Sequence, residues 1–237
     1  MNVMGIKSLI RKISYLWAKR SSESYCRYLR RMGMSIGEGT FIFSRNALID
    51  ISRPSLVSIG KDCYINQHFT LLTHDWVSKV FIGSGRGFLN SSGKVTIGNN
   101  VSFGQNVMVL KGVSIGDDCI IGAGSIVTKD IPAGSIAVGA PCRVIMTLDE
   151  YYEKRLAQAE NEAFEYVRSI QARFGRAPRL EEMTEEFIWF VDGKDIDKYP
   201  MLPIRSQLGD SYDEYAMRHK AKYNGFEDFL KAAGMEL

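Results

Sequence analysis

The chain has 237 residues, 45% of them hydrophobic and 24% charged, with a formal net charge of +3. That balance is ordinary for a folded globular protein and excludes a disordered chain or a collagen-like fibre. No apolar run reaches the roughly 18–20 residues that a bilayer-spanning helix needs.

The N-terminal segment, residues 1–33, is basic. Within residues 1–35, Lys7, Arg11, Lys12, Lys19, Arg20, Arg27, Arg30 and Arg31 face only Glu23, so the rest of the chain is net acidic. Ile6, Ile10, Ile13, Leu16 and Trp17 fall at helical spacing, followed by Tyr25, Tyr28 and Leu29, which predicts one or two amphipathic helices. Such a basic helix suits an anionic membrane surface, an anionic ligand or a solvated face of its own protein. Lys7, Arg11 and Lys12 interrupt any leader-like apolar core, so the expected location is cytoplasmic, with peripheral membrane contact through the N-terminus as an option.

A period of six begins near residue 34. Ile36, Ile42 and Leu48 keep it, as do Ile59, Ile65 and Leu71. Leu48 to Ile59 is eleven residues where two steps would be twelve, with the irregularity near Arg53-Pro54. Leu71 to Ile97 is twenty-six, and His74–Lys94 is largely off the pattern, so it is read as a loop projecting from a regular scaffold. From Val95 the repeat is unbroken: VTIGNN VSFGQN VMVLKG VSIGDD CIIGAG SIVTKD.

The third residue of every block is apolar and the first is small or β-branched. Residues two apart share one face of a strand, so both point into a common interior. Gly after the strand is expected to supply a positive φ at the corner. Three short strands then close one triangular coil of 18 residues, and stability comes from stacking successive coils. Cys63 and Cys119 fall on interior positions, and the four cysteines (with Cys26 and Cys142) form no CxxC pair, so they read as reduced, packed thiols rather than zinc ligands.

The run IGAGSIVTKDIPAGSIAVGAPCRVI (Ile121–Ile145) resembles the end of the β-helix in hexapeptide-repeat acetyltransferases, and ISRP and LLTHDW look most like the sugar and capsular-polysaccharide O-acetyltransferases among them. The resemblance covers roughly residues 34–146. It implies a mainly β fold: a left-handed parallel β-helix with an N-terminal helix and a helical C-terminal extension, residues 147–237. It also implies acetyl-CoA as acyl donor, a homotrimer with sites between neighbouring prisms, and no metal.

Carried over by position, the resemblance makes His74 the catalytic base, with Asp75 a candidate for orienting the site. Gly104, Gly122, Ala123, Thr128, Lys129 and Arg143 match positions along the donor, and Asn46 and Trp76 are acceptor-side candidates. Where related sugar enzymes read NNVWIG this chain reads NNVSFG, so Ser102 stands in place of a Trp. A histidine suits proton removal from an acceptor hydroxyl near neutral pH.

The leading reading is O-acetylation of a sugar or surface-polysaccharide intermediate, with N-acetylation of an amino sugar, and serine or antibiotic acetylation, left open. A metal-dependent carbonic anhydrase of the same fold would need three converging histidines, and only His68, His74 and His219 exist. A non-catalytic β-helix scaffold is the alternative from another class. Nucleic acid is not an expected partner, and Gly83–Gly87 (GSGRG) lacks the continuation of a phosphate-binding P-loop.

In the tail, Leu148, Tyr152, Leu156, Ala159, Ala163, Val167 and Ile170 predict a helix through about Phe174. A shorter helix is expected near Leu180–Val191, then irregular chain, then helix over Tyr212–Lys231.

Overall fold

The structure is a computed structural model that describes residues 12–236. Ile6, Lys7, Ile10 and Arg11 of the basic segment lie outside the described residues. The chain divides into two compact units, with the boundary between Tyr152 and Glu153.

The first unit is a parallel β-helix. Its first face stacks β1 (Ser35–Ile36), β4 (Val57–Ile59), β7 (Val95–Ile97) and β10 (Ser114–Ile115). The second stacks β2 (Phe41–Ile42), β5 (Tyr64–Ile65), β8 (Ser102–Phe103) and β11 (Ile120–Ile121), and continues into β13 (Ser135–Val138) and the antiparallel β14 (Arg143–Thr147). The third stacks β3 (Leu48–Ile49), β6 (Thr70–Leu71), β9 (Met108–Val109) and β12 (Ile126–Val127).

The chain visits the faces in that order, so each coil has three corners: first to second face, second to third, and third back to first. Ile97, Phe103, Val109, Ile115, Ile121 and Val127 are all buried, as are the block-opening residues Val95 to Ser125, which is what a shared interior requires.

Two details of the repeat differ from the expectation. In the first coil the interior residue is Ile49, which pairs with Leu71, while Leu48 faces outward and is 53% exposed. The corner over residues 43–47 holds one extra residue, so strand alternation turns Leu48 out. The irregular step therefore spans Ile49 to Ile59, ten residues at the third corner where the regular step is six.

The glycines after the strands also do a different job from the expected one. Gly98, Gly104, Gly116 and Gly122 are not in the positive-φ region; the left-handed position is held by Asn100, Asn106, Gly112, Asp118 and Gly124 instead. What excludes a side chain after the strand is the next coil: a Cβ on Gly60 would lie 2.3 Å from the carbonyl oxygen of Gly98. Gly60→Ala is thus expected to cost about 1–3 kcal/mol by overpacking. Gly112→Ala, at φ +81 with open space around it, is expected to cost about 1–2 kcal/mol by backbone strain. Urea melts of both check this, and a fully stable Gly60→Ala protein would contradict the stacking argument.

The N-terminal end of the prism is closed by the helix Ser22–Met32, which has a Ser21 cap and a Gly33 stop. Tyr25, Cys26 and Leu29 bury themselves against the first coil. Arg30 donates to the carbonyls of Ile36 (2.8 Å) and Gly37 (2.9 Å), and Ser22 accepts from the Ile42 amide, satisfying strand-edge groups that no further coil covers. All four cysteines are free and buried, and burial pushes their thiols up, so none is poised as a nucleophile.

The second unit has its own core. Ala163, Val167 and Ile170 of the long helix Leu148–Phe174 pack with Phe187, Phe190, Phe229 and Leu230. The expected helix near Leu180–Val191 is instead two short 3-10 turns, Leu180–Glu182 and Glu186–Trp189. The expected Tyr212–Lys231 helix is broken into Tyr212–Arg218 and Phe226–Ala232, with Gly225 at φ 93 between them. No helix among the described residues is long and apolar enough to cross a membrane.

Candidate active site

The two long interruptions of the repeat fall at the third corner, in consecutive coils. The first coil's long corner carries Asp50, Ser52 and Arg53. The second coil's, Leu72 to Lys94, carries the inserted loop. Because neighbouring strands in a sheet stack about 4.8 Å apart, residues more than twenty positions distant in sequence become adjacent there.

The loop is anchored at its root. His74 bridges Ser92 in antiparallel fashion, Gly93 donates to the Thr73 carbonyl (2.9 Å), and Asp75 donates to that of Ser91 (3.3 Å). It contains the helix Ser78–Gly83, and GSGRG forms the turns after it, with Gly85 and Gly87 at positive φ. Its root and the first coil's corner enclose a cavity of about 430 Å³, lined by Ser52, Arg53, His74, Asp75, Trp76, Ser78 and the segment Phe88–Ser91.

His74 is held by Asp50, not by Asp75. The Nδ1 of His74 lies 2.6 Å from Oδ2 of Asp50. That carboxylate also accepts from the Thr73 amide (3.2 Å) and hydroxyl, and its other oxygen accepts from the Ser52 amide (2.9 Å) and hydroxyl (2.6 Å). Burial raises the Asp50 pKa, but these donors outweigh it and hold the carboxyl well below the usual carboxylate range. An ionised carboxylate only accepts. His74 therefore carries its proton on Nδ1 when neutral, and Nε2 is left with a free lone pair. The arrangement can serve as an oriented base.

Asp75 turns the other way and forms an ion pair with Lys111 of the next coil at 2.6 Å. Lys111 also holds it below its ordinary range, through a hydrogen bond. Asp75, the candidate for orienting the site, therefore does not orient His74, because adjacent residues on an extended segment project to opposite sides.

The remaining predicted residues separate onto two corners. Thr128 and Lys129 lie at the third corner, two coils beyond His74 and fully on its edge of the prism. Asn46, Gly104, Gly122 and Ala123 lie at the second corner, and Asn46 lines a different cavity of about 570 Å³ with Arg20, Phe41, Phe43, Arg45 and Gln67. That larger cavity contains no side chain able to act as a base near neutral pH. Arg143 opens β14 and donates to the Cys142 carbonyl at 2.8 Å. Trp76 is 80% exposed beside His74. Within one chain, then, His74, Asp75 and Trp76 come together, and the second-corner residues do not join them. Ser102 faces outward on β8, in register with Tyr64 and Ile120.

His68 occupies a left-handed turn (φ 59) at the second corner, and His219 Nε2 sits 2.7 Å from the Ile188 carbonyl. Among the described residues no group of three or more His, Cys, Asp or Glu side chains is arranged to hold a metal ion.

Comparison with known proteins agrees with this architecture. The family model "Bacterial transferase hexapeptide (six repeats)" matches residues 94–129. The putative acetyltransferase YvoF of Bacillus subtilis (strain 168) is 34% identical over 136 residues, which are 57% of this chain and 72% of YvoF. The chain belongs to the hexapeptide-repeat acetyltransferases. It is an acyltransferase with the left-handed parallel β-helix of that family.

A second relative, the galactoside O-acetyltransferase of Escherichia coli (strain K12), is 55% identical over 64 residues, but these span only 25% of this chain and 32% of that enzyme. Among solved structures, a maltose O-acetyltransferase from Clostridium difficile 630 aligns with a TM-score of 0.40 at 27% identity, over 62% of this chain and 89% of that one. Reading the repeat alone missed Asp50, Ser52, Thr73 and Lys111. Assigning each block to its corner was the available signal, since the two irregular steps fall on the same one.

Proposed function

We propose that this acetyltransferase moves an acetyl group from acetyl-CoA to a hydroxyl of a sugar or surface-polysaccharide intermediate, with His74 as general base. The observation that carries the reading is the His74–Asp50 contact at 2.6 Å, which occupies Nδ1 and leaves Nε2 unengaged on a residue that lines the pocket. Nε2 takes the acceptor hydroxyl proton as the oxygen attacks the thioester carbonyl. The C–S bond then breaks, and the same proton passes from His74 to the departing thiolate. Asp50 stabilises the imidazolium that forms in between.

The separation of His74 from Gly104, Gly122 and Ala123 onto different corners supports a site shared between copies. A homotrimer in which the third corner of one prism faces the second corner of the next would bring His74 toward Gly104, Gly122 and Ala123. Trp76, Val80, Ile82, Phe88 and Leu89 are all more than half exposed on the loop, which is the kind of apolar surface a neighbouring copy covers. Thr128, Lys129 and Arg143 are exposed polar groups suited to the nucleotide end of the donor. A cytoplasmic enzyme with peripheral contact through its basic N-terminus fits this assignment, and Ile13, Leu16 and Trp17 are more than half exposed.

An acceptor screen that follows CoA release with a thiol reagent tests the proposal. Acetyl-CoA-dependent release with glycans, and none with serine or aminoglycosides, is the expected result. Release only with amine acceptors would replace O-acetylation by N-acetylation, and no acetyl-CoA binding in calorimetry would favour a scaffold.

A further inference from the structure

We infer that the acceptor carries an anionic group, a carboxylate or a phosphate, and that Arg53 is the residue that selects it. This rests on the reading of His74 as the base that faces the acceptor.

Arg53 follows Ser52 in the first coil's long corner and lines the same cavity as His74. Its Nη1 is buried and has no hydrogen-bond partner. A guanidinium stays charged at any working pH, and a buried charged donor without an acceptor is costly enough to need an explanation. The pocket supplies no counter-charge. Asp50 is committed to Ser52, Thr73 and His74, and Asp75 to Lys111.

The hexapeptide repeat does not need Arg53 either. It sits within the residues that lengthen this corner, just before the 3-10 turn Pro54–Leu56. A planar fork of N–H donors on the cavity wall, one of them buried and unpaired, matches a carboxylate or phosphate, which accept two parallel hydrogen bonds.

Two sources of anion compete: the donor and the acceptor. The phosphates of CoA are separated from its thioester by the whole pantetheine arm. A thioester placed to react at His74 therefore carries its phosphates far from the residue adjoining Ser52. The anion that meets Arg53 belongs to the acceptor.

The test is equilibrium binding of matched probes to the full-length protein: methyl β-glucoside, methyl β-glucuronide and methyl β-glucoside 6-phosphate. Wild-type protein should bind at least one anionic probe about 10- to 100-fold more tightly than the neutral one. Arg53→Met should abolish that preference by lowering affinity for the anionic probe far more than for the neutral one, and Arg53→Lys should keep part of it. The arm with the larger preference tells carboxylate from phosphate.

Equal affinities for all three probes, or no binding of either anionic probe, overturn the inference. So does an Arg53→Met protein with a changed oligomeric state but an unchanged preference, which would assign the guanidinium to a contact between copies. Binding is repeated in His74→Ala protein, alongside turnover. An anionic preference that persists while His74→Ala still turns over sinks the base assignment and keeps the anion site. A dead His74→Ala enzyme without the preference does the reverse.

Discussion

His74→Ala is expected to lower turnover by about 10²–10⁴-fold, the range that a positioned general base contributes, while acetyl-CoA binding measured by calorimetry stays near wild type. The reason is geometric. His74 is the one histidine on the pocket wall, and its Nδ1 is occupied by Asp50, so removal would delete the Nε2 lone pair that is proposed to take the acceptor proton. Folding should survive, because the His74 side chain is 26% exposed and lies outside the interior of the prism. Equal losses of donor affinity and turnover would indicate a binding role, and near-wild-type turnover would remove His74 from the chemistry.

Asp50→Asn is the second large effect, and it separates two carboxylates that the linear sequence leaves equivalent. An amide at position 50 is nearly the same size but can offer its N–H₂ to Nδ1, favouring the tautomer whose proton sits on Nε2, where no base remains. It also removes the negative charge that stabilises the imidazolium. Turnover should fall by up to about 10⁴-fold, the scale seen when a buried carboxylate behind a catalytic histidine becomes an amide. Asp75→Asn should change turnover far less, since it breaks only a partly exposed pair with Lys111, which solvent screens.

The sign of the pH effect follows from the depressed Asp50 pKa. A carboxyl with a lowered folded-state value adds stability that is fully present above its unfolded value and is lost as pH falls through the folded one. Near neutral pH the contribution is whole, and Asp50 stays ionised throughout the working range. Acid melts should show Asp50→Asn losing less stability on acidification than wild type; identical profiles would mean that the carboxylate contributes nothing to acid sensitivity.

The period of six contained most of the architecture. Apolar residues at every sixth position cannot all be buried by a flat sheet or a helix, and stacking triangular coils buries each of them, so Ile97 through Val127 identified their own interior. The long helix after Thr147 was equally legible, because spacings of three and four persist for several turns. Where local signals conflicted, pattern alone failed. Leu48 and Ile49 are both apolar, and only a corner one residue longer decides which faces in. The glycines after the strands look like turn residues, yet it is the coil above that forbids their side chains.

The site depended on stacking to a greater degree. His74 stood out as a histidine at the edge of a loop, but its partner lies 24 positions earlier and adjoins it only because two long corners fall on the same edge of the prism. Neighbours in the chain are fixed by covalent bonds and alternate across the strand, which carried Asp75 away toward Lys111. Neighbours between coils are fixed by register, which carried Asp50 in. The repeat therefore specified a scaffold from sequence, whereas the pairing of His74 with Asp50 came from inter-coil register, a property that no single block contains.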